Sequence, residues 1–151
     1  MSNFKITSEF PTFDDKAVYE GKEVYFWKRA QIFPNDIYFA LTGKGLGEFG
    51  NMADLTVFAD YKLPQLLQFH NVLKYNQELV QKLKNKELLP SGSAEEVEIR
   101  AHTIHACELL AESLGNHGRK ITSQQLDWIL WNLSRKMEMT LPHHQTPTIY
   151  Y

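Results

Sequence analysis

In the stretch LTVFADYKLPQ, residues 55–65, a single carboxylate, Asp60, follows an apolar run and precedes Tyr61, Lys62 and Pro64. At the edge of a dry region an ionised carboxylate is costly unless a cation or hydrogen-bond donors compensate it. In a structural role, Asp60 caps or turns the chain into the helix that follows. In a chemical role it is a fixed anion beside a sugar, because glycosidic cleavage passes through an oxocarbenium-like transition state that a nearby carboxylate stabilises. Composition and spacing leave both open.

A second constellation lies in LDWILWN, residues 126–132. Asp127 and Trp131 stand one helical turn apart, and Trp128 and Asn132 form the neighbouring i, i+4 pair. A carboxylate, an indole and an amide clustered on one helix can grip a flat, hydrogen-bonding ligand such as a nucleobase. Equally, the tryptophans can fill a core while Asp127 favours a helix N-terminus. Glu98, His102 and His105, extended by Glu108, fall near one helical face. They lack the HExxH order of zinc hydrolases, and the pattern is that of a solvated charged face. Lys28 and Arg29 could meet a phosphate, as could His143 and His144 in the terminal PHHQTPTIYY. That tail is rich enough in aromatic and β-branched residues to dock on the body rather than fray.

These groups need elements to position them. Residues 1–15 read as an irregular arm whose Phe4, Phe10 and Phe13 require cover. From about 22 to 41 the apolar spacing is helical, and Pro34 divides it into two pieces, standing near the start of the second. TGKGLGEFGN, 42–51, holds four glycines; with no GK[ST] after them it reads as a loop, not a phosphate-binding P-loop. Pro64 opens a helix to about Leu73, and Asn76 caps another to about Leu83. Ser93 with Glu96 and Thr122 with Gln125 are capping-box patterns that open two longer helices. Gly115 and Gly118 stop the first, and Pro142 closes the second. With no run of paired strands, the fold class is all-α, or α with a minor irregular β element.

At 151 residues and 43% hydrophobic content the chain suits one domain, 1–151, with a single sizeable core. Sixteen basic against 18 acidic residues, net −2, provide no broad field for nucleic acid. One cysteine, Cys107, excludes an internal disulfide and fits a reducing, cytoplasmic setting. The first 15 residues match neither a secretory nor a transit signal, and no apolar run approaches membrane-spanning length.

Taken together and in order, FDDKAVYEGKEVYFWKRAQI, LTVFADYKLPQLL, GSAEEVEIRAHTI, LDWILWN and PHHQTPTIYY resemble the queuosine salvage proteins, which are queuosine 5′-phosphate N-glycosylases. The resemblance covers residues 13–151 and only the C-terminal half of that family. It implies a helical fold like that of the DNA glycosylases and hydrolysis of the N-glycosidic bond to release queuine for tRNA modification, with no metal or cofactor. By motif, Asp60 matches the catalytic aspartate and Phe58 a contact to the base. Asp127 matches a base-recognising acid, and Trp128 an aromatic lining the same site. Asn132 falls where the family usually has a further aspartate; if that aspartate serves queuine's ammonium, the ammonium binds more weakly here. Gln145 and Pro147 stand where arginines are usual.

The implied ligands are queuosine 5′-phosphate and queuine, with neither a membrane nor nucleic acid bound directly. The absent half would bring further helices and at least one histidine of the substrate site. Three expectations follow: a truncated form, a chain completed by a partner that supplies the other half, or a catalytically silent paralogue acting as a ligand-binding or protein-interaction module.

Overall fold

A computed structural model describes residues 7–151. Residues 1–6, including Phe4 of the expected arm, lie outside the described residues. A 3-10 turn at Pro11–Phe13 leads into a hairpin of β1 (Lys16–Tyr19) and β2 (Lys22–Tyr25). Helices α1 (Lys28–Ala40), α2 (Lys62–Phe69), α3 (Gln77–Lys84), α4 (Ala94–Asn116) and α5 (Ser123–Lys136) follow. The all-α reading with a minor β element therefore holds. Among the described residues no helix is long and apolar enough to cross a membrane.

The expected start of a helix at 22 is corrected. Residues 22–25 pair antiparallel with 16–19, Lys16 opposite Tyr25 and Tyr19 opposite Lys22. Glu20 and Gly21, with φ of 48° and 77°, supply the two positive-φ positions of a tight hairpin turn. Four residues are too few to distinguish a strand from a helix by period. The expected break at Pro34 is also corrected, because α1 runs through it. Proline there removes the donor that the Ala30 carbonyl would take. Ala30, Gln31 and Pro34 are nevertheless the buried face of the helix, and that packing holds it together.

Helix ends follow local hydrogen bonding. Asn76 Oδ1 accepts the Leu79 N–H at 2.8 Å, as its capping role requires. Thr122 and Gln125 close a reciprocal capping box. Ser93 forms only half of one: its Oγ accepts the Glu96 N–H, but the Glu96 carboxylate turns to Gly92 and Arg100. Gly115 lies inside α4, so Gly118 alone ends it. With φ of 80°, Gly118 lets the Arg119 N–H reach the Leu114 carbonyl, 2.9 Å, in a Schellman turn. Asn71, φ 59°, does the same for α2 and stops it at Phe69, short of the expected Leu73. Helix α5 ends at Lys136, before Pro142, where Met137 turns extended.

Val57, Leu63, Leu66, Leu67, Cys107, Leu126 and Leu130 form the core where α2, α4 and α5 meet. Leu66 is almost fully buried within it. Leu66→Ala is expected to lower stability by about 2–5 kcal/mol, read as a reduced urea midpoint with an unchanged slope. The terminal segment docks on the body as its composition requires. The Leu89 N–H donates to the Gln145 carbonyl at 2.9 Å, Gln65 Nε2 donates to the Leu141 carbonyl, and Arg29 donates to the Ile149 carbonyl.

Candidate active site

Residues 55–61 have no regular structure of their own, yet side chains from three helices hold their backbone. Thr56 N–H donates to Gln31 Oε1 of α1 at 2.9 Å. Phe58 N–H donates to Asp127 Oδ1 of α5 at 2.8 Å. The Ala59 carbonyl accepts from Arg100 Nε of α4 at 3.3 Å. Asp60 Oδ1 then accepts the N–H groups of Lys62 and Leu63, at 2.7 and 3.3 Å, in the first turn of α2. Asp60 is thus both the helix-entry residue and a carboxylate fixed at the positive end of a helix dipole. Its other oxygen, Oδ2, lies 3.9 Å from Lys28 Nζ. Neither side chain is more than 14% exposed.

Asp60 opens onto a cleft of about 380 Å³ that Lys28, Phe58, Asp127, Trp128 and Trp131 also line. That volume fits a small-molecule site with apolar walls and a few polar groups. Burial raises the Asp127 carboxyl to about 7, against a smaller downward pull from the Phe58 N–H and with a further rise from the Asp60 charge. Burial likewise lowers the pKa of Lys28, while the charges of Asp60 and Asp127 oppose the drop. Two acids in different surroundings thus share one cation and one cleft. One Asp127 oxygen is committed to Phe58, leaving the other for a ligand.

Of the residues singled out from sequence, Phe58, Asp60, Asp127 and Trp128 come together here. Asn132 does not line the cleft; its Nδ2 donates to the Trp128 carbonyl at 2.7 Å, one turn back. Arg29 lines a neighbouring cleft with Phe13, Phe33 and Tyr150. His143 stacks on Tyr61 at 4.8 Å. His144 is buried, and that burial lowers it to about 4, so at neutral pH it is uncharged and offers no cation to a phosphate. In the histidine row, Glu98 accepts from Tyr19 Oη and Glu108 from Ser123 Oγ, each at 2.6 Å. No group of three metal-ligating side chains occurs among the described residues.

The sequence reading missed the pairing of Lys28 with Asp60, and the buried ions behind the site. Arg100, on the buried face of α4, binds Asp15 through a two-pronged contact and Glu96 at 3.2 Å. Glu96 and Arg100 at i, i+4 among Val97, Ile99 and Thr103 were the available signal, since ions spaced like core residues need partners. Asp15 carried no such signal. It sits in the stretch read as an irregular arm, yet it is almost fully buried.

The sequence model of the family described as queuosine salvage protein matches residues 4–151. The chain is 45% identical over 147 residues to a queuosine 5′-phosphate N-glycosylase/hydrolase of Sphaerobacter thermophilus, and 43% identical over 147 residues to one of Dictyostelium discoideum. It is 40% identical over 156 residues to one of Mus musculus. Each alignment covers 97% of this chain and 46% of the relative, so the chain spans about half the length of the curated relatives it matches. With Asp60, Asp127 and the aromatic walls of the cleft all inside the matched region, the chain belongs to the queuosine salvage protein family.

Proposed function

We propose that the protein hydrolyses the N-glycosidic bond of queuosine 5′-phosphate, with Asp60 as the catalytic carboxylate. The observation that carries this reading is the placement of Asp60 on the wall of a cleft of about 380 Å³, with Oδ1 pinned by the first N–H groups of α2 and Oδ2 beside Lys28. As the bond from C1′ to the base nitrogen breaks, its electron pair leaves with the base and positive charge grows on the sugar. A carboxylate held in place needs no reorganisation to meet that charge. Water then adds to C1′, its remaining proton going to the base, to give ribose 5-phosphate and queuine. Asp60 either bonds transiently to C1′ or stabilises the cation; both roles need the same oxygen in the same place.

The base lies between Phe58 and Trp128 in this reading, and Asp127 accepts from the donor edge of the deazaguanine. That contact favours the ionised form of an acid otherwise held near 7. Lys28, beside Asp60, is the nearest cation to the sugar side of the cleft. A free, buried Cys107 suits a reducing compartment, and we place the protein in the cytoplasm, acting on the free nucleotide rather than on nucleic acid.

Mass-spectrometric detection of queuine after incubation of the 151-residue protein with queuosine 5′-phosphate tests the reading. Release is the expected result. Absence of release from a folded chain overturns it for the isolated protein, and adding the N-terminal half of a relative then shows whether a second polypeptide completes the site.

A further inference from the structure

The buried ion cluster bonds to the backbone on both sides of the Lys28–Asp60 contact. Arg100 and Asp15 have side chains no more than 3% exposed. The guanidinium meets Asp15 Oδ1 through Nη1 at 2.9 Å and Asp15 Oδ2 through Nη2, while Nη1 also reaches Glu96 Oε1 at 3.2 Å. Its faces are covered as well, by the Phe26 ring at 4.0 Å and the Tyr151 ring at 4.6 Å. Glu96 is completed by Tyr151 Oη, 2.9 Å, and by the Gly92 N–H, 3.1 Å. Burying an ion cluster adds little net stability against an apolar replacement of the same shape. What it fixes is geometry.

Two bonds leave the cluster toward the cleft. Arg100 Nε donates to the carbonyl of Ala59, the residue before Asp60. Asp15 Oδ2 accepts the backbone N–H of Lys28 at 3.0 Å, at the first position of α1. The Asp15 carbonyl also accepts from the N–H groups of Phe26 and Trp27, each at 3.0 Å. Trp27 is held there with φ of 47°, a conformation that costs a residue with a side chain about 1–2 kcal/mol. The strained turn delivers Lys28 to its place, and the Asp15 oxygens secure it.

We propose that Arg100 is a positioning residue that, paired with Asp15, sets the separation between Lys28 and Asp60. One guanidinium–carboxylate pair anchors the backbone on each side of that 3.9 Å contact. Its consequence for turnover rests on the function proposed above; its consequence for the Asp60 geometry does not. Lysine at position 100 keeps the charge but, as a flexible point donor, cannot hold the Asp15 fork and the Ala59 carbonyl together.

The test is Arg100→Lys in the full chain, followed by the amide proton resonances of Lys62 and Leu63, whose N–H groups donate to Asp60, and by steady-state kinetics. The expected result is an upfield move of the Lys62 resonance with the α3 amides unchanged. Alongside it, kcat falls about 10–100-fold while KM stays within about 3-fold, the signature of a displaced catalytic group rather than lost binding. Lys62 and Leu63 resonances at their wild-type positions in a folded variant overturn the proposal, even if the variant melts earlier. If Arg100→Lys does not fold, Asp15→Asn, which leaves Glu96 as counter-charge to Arg100, carries the same measurement with the same two outcomes. Should the wild-type chain release no queuine, the functional reading falls and the amide resonances alone decide the positioning.

Discussion

Asp60→Asn is expected to abolish queuine release, by at least about 10²–10³-fold in kcat, with the helical circular dichroism of the wild type retained. Asparagine keeps an oxygen that can accept from Lys62 and Leu63, so the entry to α2 survives. It removes the negative charge that the proposed reaction sets against the sugar and leaves Lys28 without its neighbour at 3.9 Å. The isosteric change therefore separates the two roles that Asp60 combines. Release within a few-fold of wild type would remove the Asp60 charge from the chemistry, and a loss of helical signal that parallels the loss of activity would leave its role in the helix entry alone. Product detection and far-ultraviolet spectra on the same samples decide between these outcomes.

Asp127→Asn is expected to move stability and activity in opposite directions. The folded chain holds a proton on Asp127 up to about pH 7, whereas the unfolded chain releases it near the usual value of an aspartate. Between those two values the native state binds more protons than the unfolded state, so stability falls as pH rises. The contribution is fully present below about pH 4 and is lost as pH rises through about 7. Asparagine reproduces the neutral form and can still accept the Phe58 N–H. The variant should therefore match the wild type near pH 4 and exceed it by on the order of 4 kcal/mol above pH 7. In the same protein KM for queuosine 5′-phosphate should rise about 10-fold or more, because the charged acceptor for the base edge is gone. Urea unfolding at pH 4, 6 and 8 measures the first effect and initial rates the second. Parallel stability curves for the two proteins would remove Asp127 as the proton holder.

Chemistry and helix boundaries differ in how much sequence they require. Asn76, Thr122 and Gly118 act through hydrogen bonds to residues three to five positions away, so a short window contains both partners. The acids of the site were identifiable for a related reason. A carboxylate after an apolar run, or one turn from an indole, is chemically conspicuous whatever the chain does elsewhere. Their joint membership in one cleft came from resemblance to a family and not from spacing, since Phe58 and Asp127 are 69 positions apart.

By itself the sequence determined the helical class, the capped starts of α3 and α5 and a docked C-terminal tail, and through its resemblance to a family it pointed to Phe58, Asp60, Asp127 and Trp128, which meet in the cleft. Only the tertiary structure decided that 22–25 is a strand, that α1 continues through Pro34, that His144 is neutral and that Lys28 faces Asp60. All but the first depend on partners distant in sequence. β2 needs only β1 across a two-residue turn, in strands too short to show a period, whereas Pro34 needs the face it buries. His144 needs the body that desolvates it, and Asp15 needs a guanidinium 85 residues away. Local hydrogen bonds are written into neighbouring residues, whereas burial and long-range ion pairing exist only once the chain has folded.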